Sequence, residues 1–127
     1  MTTDDVWLVL PSANEANCAR TLPMWRDMGY RVAVLQDRER FVCDADTVVE
    51  ADAYPGWPAA VNRLFREVVP ASVRVIVAAG DDMYPDPRFR AHELRDACLD
   101  PFTTTFRALP PPAAALQSTR HRPATPS

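Results

Sequence analysis

Three short segments of the chain carry side chains that can bind a metal ion or hydrogen-bond a ligand. They are Asn14-Glu15, Asp37 and Asp81-Asp82, and each follows an apolar run. Carboxylate and amide oxygens are the ligands that hard divalent cations such as Mg²⁺ and Mn²⁺ prefer, often together with substrate phosphates. A metal bound in this way neutralises a diphosphate and stabilises it as a leaving group. The residue types therefore favour binding of a nucleotide diphosphate through a divalent metal.

The apolar runs before these segments are predicted to be strands. Four such runs occur, at Val6–Leu10, Tyr30–Leu35, Thr47–Ala51 and Val73–Ala79. The first is a continuous apolar run that ends at Pro11, which is typical of a strand buried on both faces. The fourth run is expected to be the most central strand of the sheet.

Helical patterns are predicted at residues 12–28, between the first and second strands, at 56–69, between the third and fourth, and at 88–99, after the fourth. Because proline does not fit inside a regular helix, we expect the first pattern to break near Thr21, with Pro23 in the first turn of a second short helix. Strands that alternate with helices predict an α/β fold, with a mostly parallel sheet of about four strands and helices on both faces. Ligands of such sheets bind outside the carboxyl ends of the strands, which is where all three polar segments fall.

The chain divides into two parts of different composition. Residues 1–100 contain all 17 acidic residues and are predicted to form one domain. Residues 101–127 contain 6 of the 13 prolines and no acidic residue. No helical or strand period continues there, so this Pro-, Ala- and Arg-rich tail is predicted to be disordered.

Composition excludes several classes of protein. The chain has no lysine, which a phosphate-binding P-loop requires, and its 3 glycines do not form the fingerprint of a dinucleotide-binding domain. A net charge of −3 argues against nucleic acid as a partner. A zinc site is not expected, because His92-Glu93 begins no H-E-x-x-H motif and the three cysteines lack paired spacing.

The N-terminal sequence and the lengths of the apolar runs indicate in which part of the cell the protein is expected. No apolar run approaches the ~20 residues that a membrane-spanning helix needs. The N-terminus is acidic and lacks the basic start and longer apolar stretch of a signal peptide. We therefore expect a cytoplasmic protein without a transmembrane segment.

Each polar segment also has a purely structural interpretation. Asn14 and Glu15, taken alone, are typical of a helix cap and a first-turn acid. Asp81 and Asp82 precede a proline and are common in turns, and Asp37 alone is most often a loop acid. The functional interpretation depends on the agreement of three separate strand ends.

Four motifs, in order, resemble family 2 glycosyltransferases, which have the GT-A fold. The segment LVLPSANE resembles the VVIPTYNE opening of that family, with Pro11, Asn14 and Glu15 at matching spacing. Asp37 lies where the family places its base-recognising aspartate. The segment GWPAAVN resembles the G-x-x-x-A-x-N helix start of the family, which adds Asn62 to the nucleotide-sugar site.

The fourth motif, GDDMYPDP, resembles the D-x-D motif with its trailing P-D. The resemblance assigns a ribose contact to Asp81 and the role of metal ligand to Asp82. The first acidic residue of the family motif is replaced by Gly80 in this chain.

The resemblance covers residues 6–87 and implies the N-terminal, nucleotide-sugar-binding half of a glycosyltransferase. It implies a UDP- or GDP-sugar as donor, an acceptor of unknown identity, and Mn²⁺ or Mg²⁺ as cofactor. The acceptor-binding region and the carboxylate base of the family are not found, and the tail has no acidic residue that could supply the base. Two explanations stay open: a truncated or frame-shifted product, or an acceptor half supplied elsewhere. The alternative function is a non-catalytic nucleotide-binding or interaction module.

Overall fold

A computed structural model of the chain describes residues 5–38 and 40–100, so the predicted disorder of residues 101–127 lies outside the described part. The described residues form four strands and three helices. In order they are β1 (Val6–Pro11), α1 (Glu15–Asp27), β2 (Arg31–Gln36), β3 (Thr47–Glu50), α2 (Trp57–Glu67), β4 (Val75–Ala78) and α3 (Ala91–Leu99).

The four strands form one parallel sheet in the order β3-β2-β1-β4. The α/β fold predicted from the sequence is therefore confirmed. The expectation that the fourth strand is the most central is wrong, because β4 lies at an edge of the sheet that the described residues form. Val77 and Ile76 of β4 pack into the cores on opposite faces of the sheet. Its apolar composition thus reflects burial of its two faces and not strand pairing along both of its sides.

Helices cover both faces of the sheet. Leu8 and Leu10 of β1 pack with residues of α1 and α3 in one core, whereas Trp7 and Val9 pack with residues of α2 in a second core. This division follows from the alternation of side chains along a strand. None of the helices in residues 5–38 and 40–100 is long and apolar enough to cross a membrane.

Helix α1 is continuous, which corrects the predicted break near Thr21. Its N-cap is Asn14, whose side chain accepts a hydrogen bond from the backbone N–H of Asn17. Pro23 lies inside the helix and cannot donate to the carbonyl of Ala19. Both residues are exposed, so water can bind that carbonyl. The helix tolerates the proline because its opposite side is buried against the sheet.

The connection from β2 to β3 contains no helix, and Asp46 anchors it to the sheet. The Asp46 carboxylate accepts a hydrogen bond of 2.7 Å from the backbone N–H of Val32 and one of 3.2 Å from Arg31. It also forms an ion pair with Arg26 of α1. Burial works to raise the pKa of Asp46, but the interactions with Arg26, Val32 and Arg31 outweigh it and hold that pKa below its ordinary value.

We predict that Asp46→Asn lowers the free energy of unfolding by about 1–3 kcal/mol at pH 7. Because the folded-state pKa is depressed, the contribution of Asp46 is fully present above its unfolded pKa and is lost as the pH falls through its folded pKa. The difference between wild type and variant should therefore shrink between about pH 5 and pH 3. Urea denaturation at several pH values measures it. Asp44→Asn is the control, since Asp44 is half exposed and its ion pair among the described residues is with Arg26. A pH-independent difference would contradict the prediction.

Candidate functional site

The candidate site lies at the carboxyl ends of β1 and β4. The chain leaves β1 through α1 on one face of the sheet and enters β4 through α2 on the other face. The two strands therefore flank the topological switch point, where ligands of open parallel sheets bind. Ser12, directly after β1, reaches across this point and donates a hydrogen bond of 2.7 Å to Oδ2 of Asp81.

Asp81 is held by three side chains. Its Oδ2 accepts from Ser12, and its Oδ1 accepts from Nδ2 of Asn17 at 3.0 Å. Its backbone carbonyl accepts from the hydroxyl of Thr21 at 2.7 Å. Both carboxylate oxygens of Asp81 therefore take part in hydrogen bonds that join the segment after β4 to β1 and α1. Such charge-assisted bonds are the stronger class of hydrogen bond.

One side of α1 fixes the segment that follows β4. Asn17, Thr21 and Trp25 are spaced by four residues and so lie on one side of the helix. All three donate hydrogen bonds to that segment, and Nε1 of Trp25 donates to the carbonyl of Met83 at 3.0 Å. The turn that carries Asp82 is thus bound on both sides, at Asp81 and at Met83. The helix determines where the Asp82 carboxylate is presented.

Asp82 is exposed at this position, as predicted for a strand-end acid. The residues at 5–38 and 40–100 contain no group of three or more His, Cys, Asp or Glu that could hold a metal ion. A self-contained protein cage for a metal is therefore absent from the described part of the chain. One carboxylate still fits the way in which Mg²⁺ is commonly bound, through one or two carboxylates with substrate phosphates and water as the other ligands.

Pro11, Asn14 and Glu15 lie at the carboxyl end of β1 and the start of α1. Pro11 ends β1 and pairs with Leu35 of β2. Asn14 is exposed and caps α1, so its structural interpretation is correct, and its backbone N–H donates to the Oγ of Ser12 at 3.0 Å. Glu15 is exposed on the first turn of α1.

Asp37 follows β2 and is only 7% exposed. Its Oδ2 lies 3.4 Å from Nε of Arg38, yet no hydrogen bond from the described residues reaches that oxygen. Arg40 fixes the backbone here by donating to the carbonyls of Gln36, Asp37 and Ala51, the second of these at 2.6 Å. A buried carboxylate oxygen that lacks a donor is costly, unless a ligand or water supplies one.

Asn62 is not brought to the other predicted site residues. It is exposed on α2, on the opposite face of the sheet from α1. It lines a groove of about 420 Å³ together with Phe65, Val73, Arg74 and Ile76, among others. Val73 and Arg74 precede β4, so this groove lies beside the amino-terminal part of the edge strand.

Three residues of the site were missed in the sequence, namely Ser12, Asn17 and Thr21. The only signal that could have indicated Asn17 and Thr21 is their spacing by four residues, which places them on one side of a helix. Ser12 also accepts a hydrogen bond of 3.3 Å from the thiol of Cys18. Burial raises the pKa of Cys18 to about 11, so this thiol stays protonated and structural.

The arrangement presents an exposed carboxylate at Asp82, of the kind that can ligate a metal, and a buried carboxylate at Asp37, which can accept a hydrogen bond. Comparison with family models, with curated proteins and with solved structures finds no match to this chain.

Proposed function

We propose that this domain binds a nucleotide-diphosphate sugar through a divalent metal, for glycosyl transfer to an acceptor. The observation that carries the proposal is the presentation of Asp82 at the switch point. The carboxylate is exposed at the carboxyl end of β4, and α1 fixes the turn on both sides of it. This is the position at which parallel sheets bind nucleotides.

Asp37 supports the proposal as the residue that recognises the base. Neighbouring strands are about 4.8 Å apart, so the ends of β2 and β4 are separated by roughly 10 Å, with β1 between them. An extended nucleotide spans such a distance with its base at Asp37 and its diphosphate at Asp82. A base N–H would donate to this carboxylate, whose Oδ2 is ion-paired with Arg38 at 3.4 Å and accepts no hydrogen bond from the described residues.

Mn²⁺ or Mg²⁺ fits this site as a partner of the diphosphate. Asp82 would supply the protein carboxylate, while Asp81 keeps its structural hydrogen bonds to Ser12 and Asn17. When bound, the metal would neutralise the diphosphate and stabilise it as a leaving group. With one protein carboxylate, the metal is expected to bind well only together with the nucleotide.

A thermal-shift experiment on the wild-type chain tests the proposal. UDP-glucose and GDP-mannose are each added with MnCl₂, and MnCl₂ and each nucleotide sugar are also added separately. At ~100 times the Kd, one bound ligand raises the free energy of unfolding by ~2.7 kcal/mol. We expect this stabilisation for at least one nucleotide sugar with Mn²⁺, and a clearly smaller one for either component alone. If no nucleotide sugar gives a metal-dependent shift, the proposal is wrong.

A non-catalytic nucleotide-binding module is the second candidate function. It is favoured by the engagement of both carboxylate oxygens of Asp81 in hydrogen bonds to Ser12 and Asn17, which gives this acid a structural role. The two candidates differ in turnover. Metal-dependent binding with neither sugar transfer nor slow hydrolysis of the bound nucleotide sugar would support the module.

A further inference from the structure

Tyr84 presents an exposed aromatic ring two residues after Asp82. The side chain is 43% exposed, and its hydroxyl accepts a hydrogen bond of 3.2 Å from Nε of Arg20 on α1. An exposed tyrosine alone indicates little, because single exposed apolar residues are common on protein surfaces. Here, however, a cation from another element fixes the ring beside the candidate site.

The position of Tyr84 is linked to that of Asp81 through a chain of hydrogen bonds. Arg20 donates to the Oδ1 of Asn17 at 2.7 Å, and Asn17 donates in turn to Asp81 at 3.0 Å. The ring therefore belongs to the same network that fixes the turn around Asp82. A ring that is fixed before a ligand arrives loses little conformational freedom on binding.

Arg20 has further capacity to bind a ligand. A guanidinium carries five N–H donors, and its bonds to Tyr84 and Asn17 use two of them. Arg20 is exposed and forms no ion pair with the residues that the structure describes. Tyr84 and Arg20 together thus offer an apolar ring face next to hydrogen-bond donors.

The order of the strands indicates which part of a ligand would meet this pair. Asp37 and Asp82 lie on opposite sides of β1, since β2 and β4 are its two neighbours. With the base at Asp37 and the diphosphate at Asp82, the group beyond the diphosphate is directed away from Asp37. Tyr84 follows Asp82 by two residues, and its bond to Arg20 holds it against α1, next to the turn that would bind the diphosphate.

We infer that Tyr84 and Arg20 form the subsite for the sugar of the nucleotide-diphosphate sugar. The ring of Tyr84 packs against the apolar face of the pyranose, and Arg20 donates to a sugar hydroxyl. This inference rests on the proposed function, and it adds two specificity-determining residues to which the sequence motifs assign no role.

Calorimetric titration in MnCl₂ tests the inference, with UDP, UDP-glucose, GDP and GDP-mannose as probes. We expect Tyr84→Ala to weaken binding of the nucleotide sugar by about threefold to tenfold and to leave binding of the bare nucleotide unchanged. Tyr84→Phe keeps the ring and should lose less. Phe65→Ala is the matched control, because Phe65 is an exposed aromatic residue (47%) on α2 that takes no part in the site.

The outcomes separate this inference from the proposed function. If Tyr84→Ala weakens bare nucleotide and nucleotide sugar equally, or if wild type binds both equally, the sugar subsite is wrong while nucleotide binding stands. If wild type binds none of the four probes, both the inference and the proposed function are overturned. Should Tyr84→Ala not fold, Arg20→Gln with the same four probes decides, with the same selective loss expected.

Discussion

Replacing Trp25 with alanine is expected to lower the free energy of unfolding by about 3–5 kcal/mol. Trp25 is 1% exposed and lies in the core between α1, α3 and the sheet. Its ring contacts that of Tyr30 edge-on, with 5.0 Å between the centroids, and its indole N–H binds the carbonyl of Met83. The variant therefore loses packing and leaves a buried carbonyl without its donor. Since small domains have only about 5–15 kcal/mol of stability, this loss is large.

Two further variants separate the contributions of Trp25. Trp25→Phe keeps most of the apolar volume but loses the indole donor, and should cost about 1–3 kcal/mol. Met24→Ala is the control, because Met24 is the preceding residue of the same helix and is 44% exposed; it should cost much less. Urea denaturation followed by circular dichroism measures all three. If Trp25→Ala is as stable as Met24→Ala, the described packing of α1 is wrong.

The largest expected effect on binding is that of Asp82→Asn. Loss of a residue that only orients a metal ligand commonly weakens metal affinity by about 10–100-fold, so loss of a direct carboxylate ligand should weaken Mn²⁺-dependent nucleotide binding at least about tenfold. Because Asp82 is exposed, the free energy of unfolding should change by about 0.5 kcal/mol or less. Titration calorimetry and urea denaturation measure the two quantities.

The adjacent residue supplies a matched control with a different expected result. Asp81→Asn makes the same chemical change, but an amide has one acceptor oxygen, so it cannot accept from both Ser12 and Asn17. It should lower the free energy of unfolding by about 1.5–3 kcal/mol. Asp27→Asn, at the opposite end of α1, should change neither quantity. If Asp82→Asn unfolds the protein and the folded remainder keeps its nucleotide affinity, Asp82 is a structural turn residue.

The fold could be predicted because its information is local. The apolar runs before Pro11 and Gln36 and the helical patterns between them depend on the periodicity of side-chain burial, which neighbouring residues in the sequence reveal. The position of β4 at the sheet edge could not be predicted, since an edge strand with both faces buried has the composition of a central one. The uninterrupted α1 could not be predicted either, because packing of its buried side outweighs the local cost of Pro23.

The candidate site was only partly predictable for a related reason. The rule that ligands bind at strand ends selected Asn14, Asp37 and Asp81, which the structure has after the carboxyl ends of β1, β2 and β4. The distinction between Asp81 and Asp82 depends on which carboxylate meets Ser12 and Asn17, and those contacts join residues more than 60 positions apart. Such pairings arise from the tertiary structure, and a single sequence does not contain their signal.

Titration calorimetry of the wild-type chain tests the central claim most directly. UDP-glucose and GDP-mannose are titrated into the protein once in MnCl₂ and once in EDTA. We predict saturable binding of at least one of them, with one site per chain, in Mn²⁺ and a loss of that binding in EDTA. Binding that is equally strong in EDTA, or no binding of either ligand in Mn²⁺, would contradict a metal-dependent nucleotide-sugar site at Asp82.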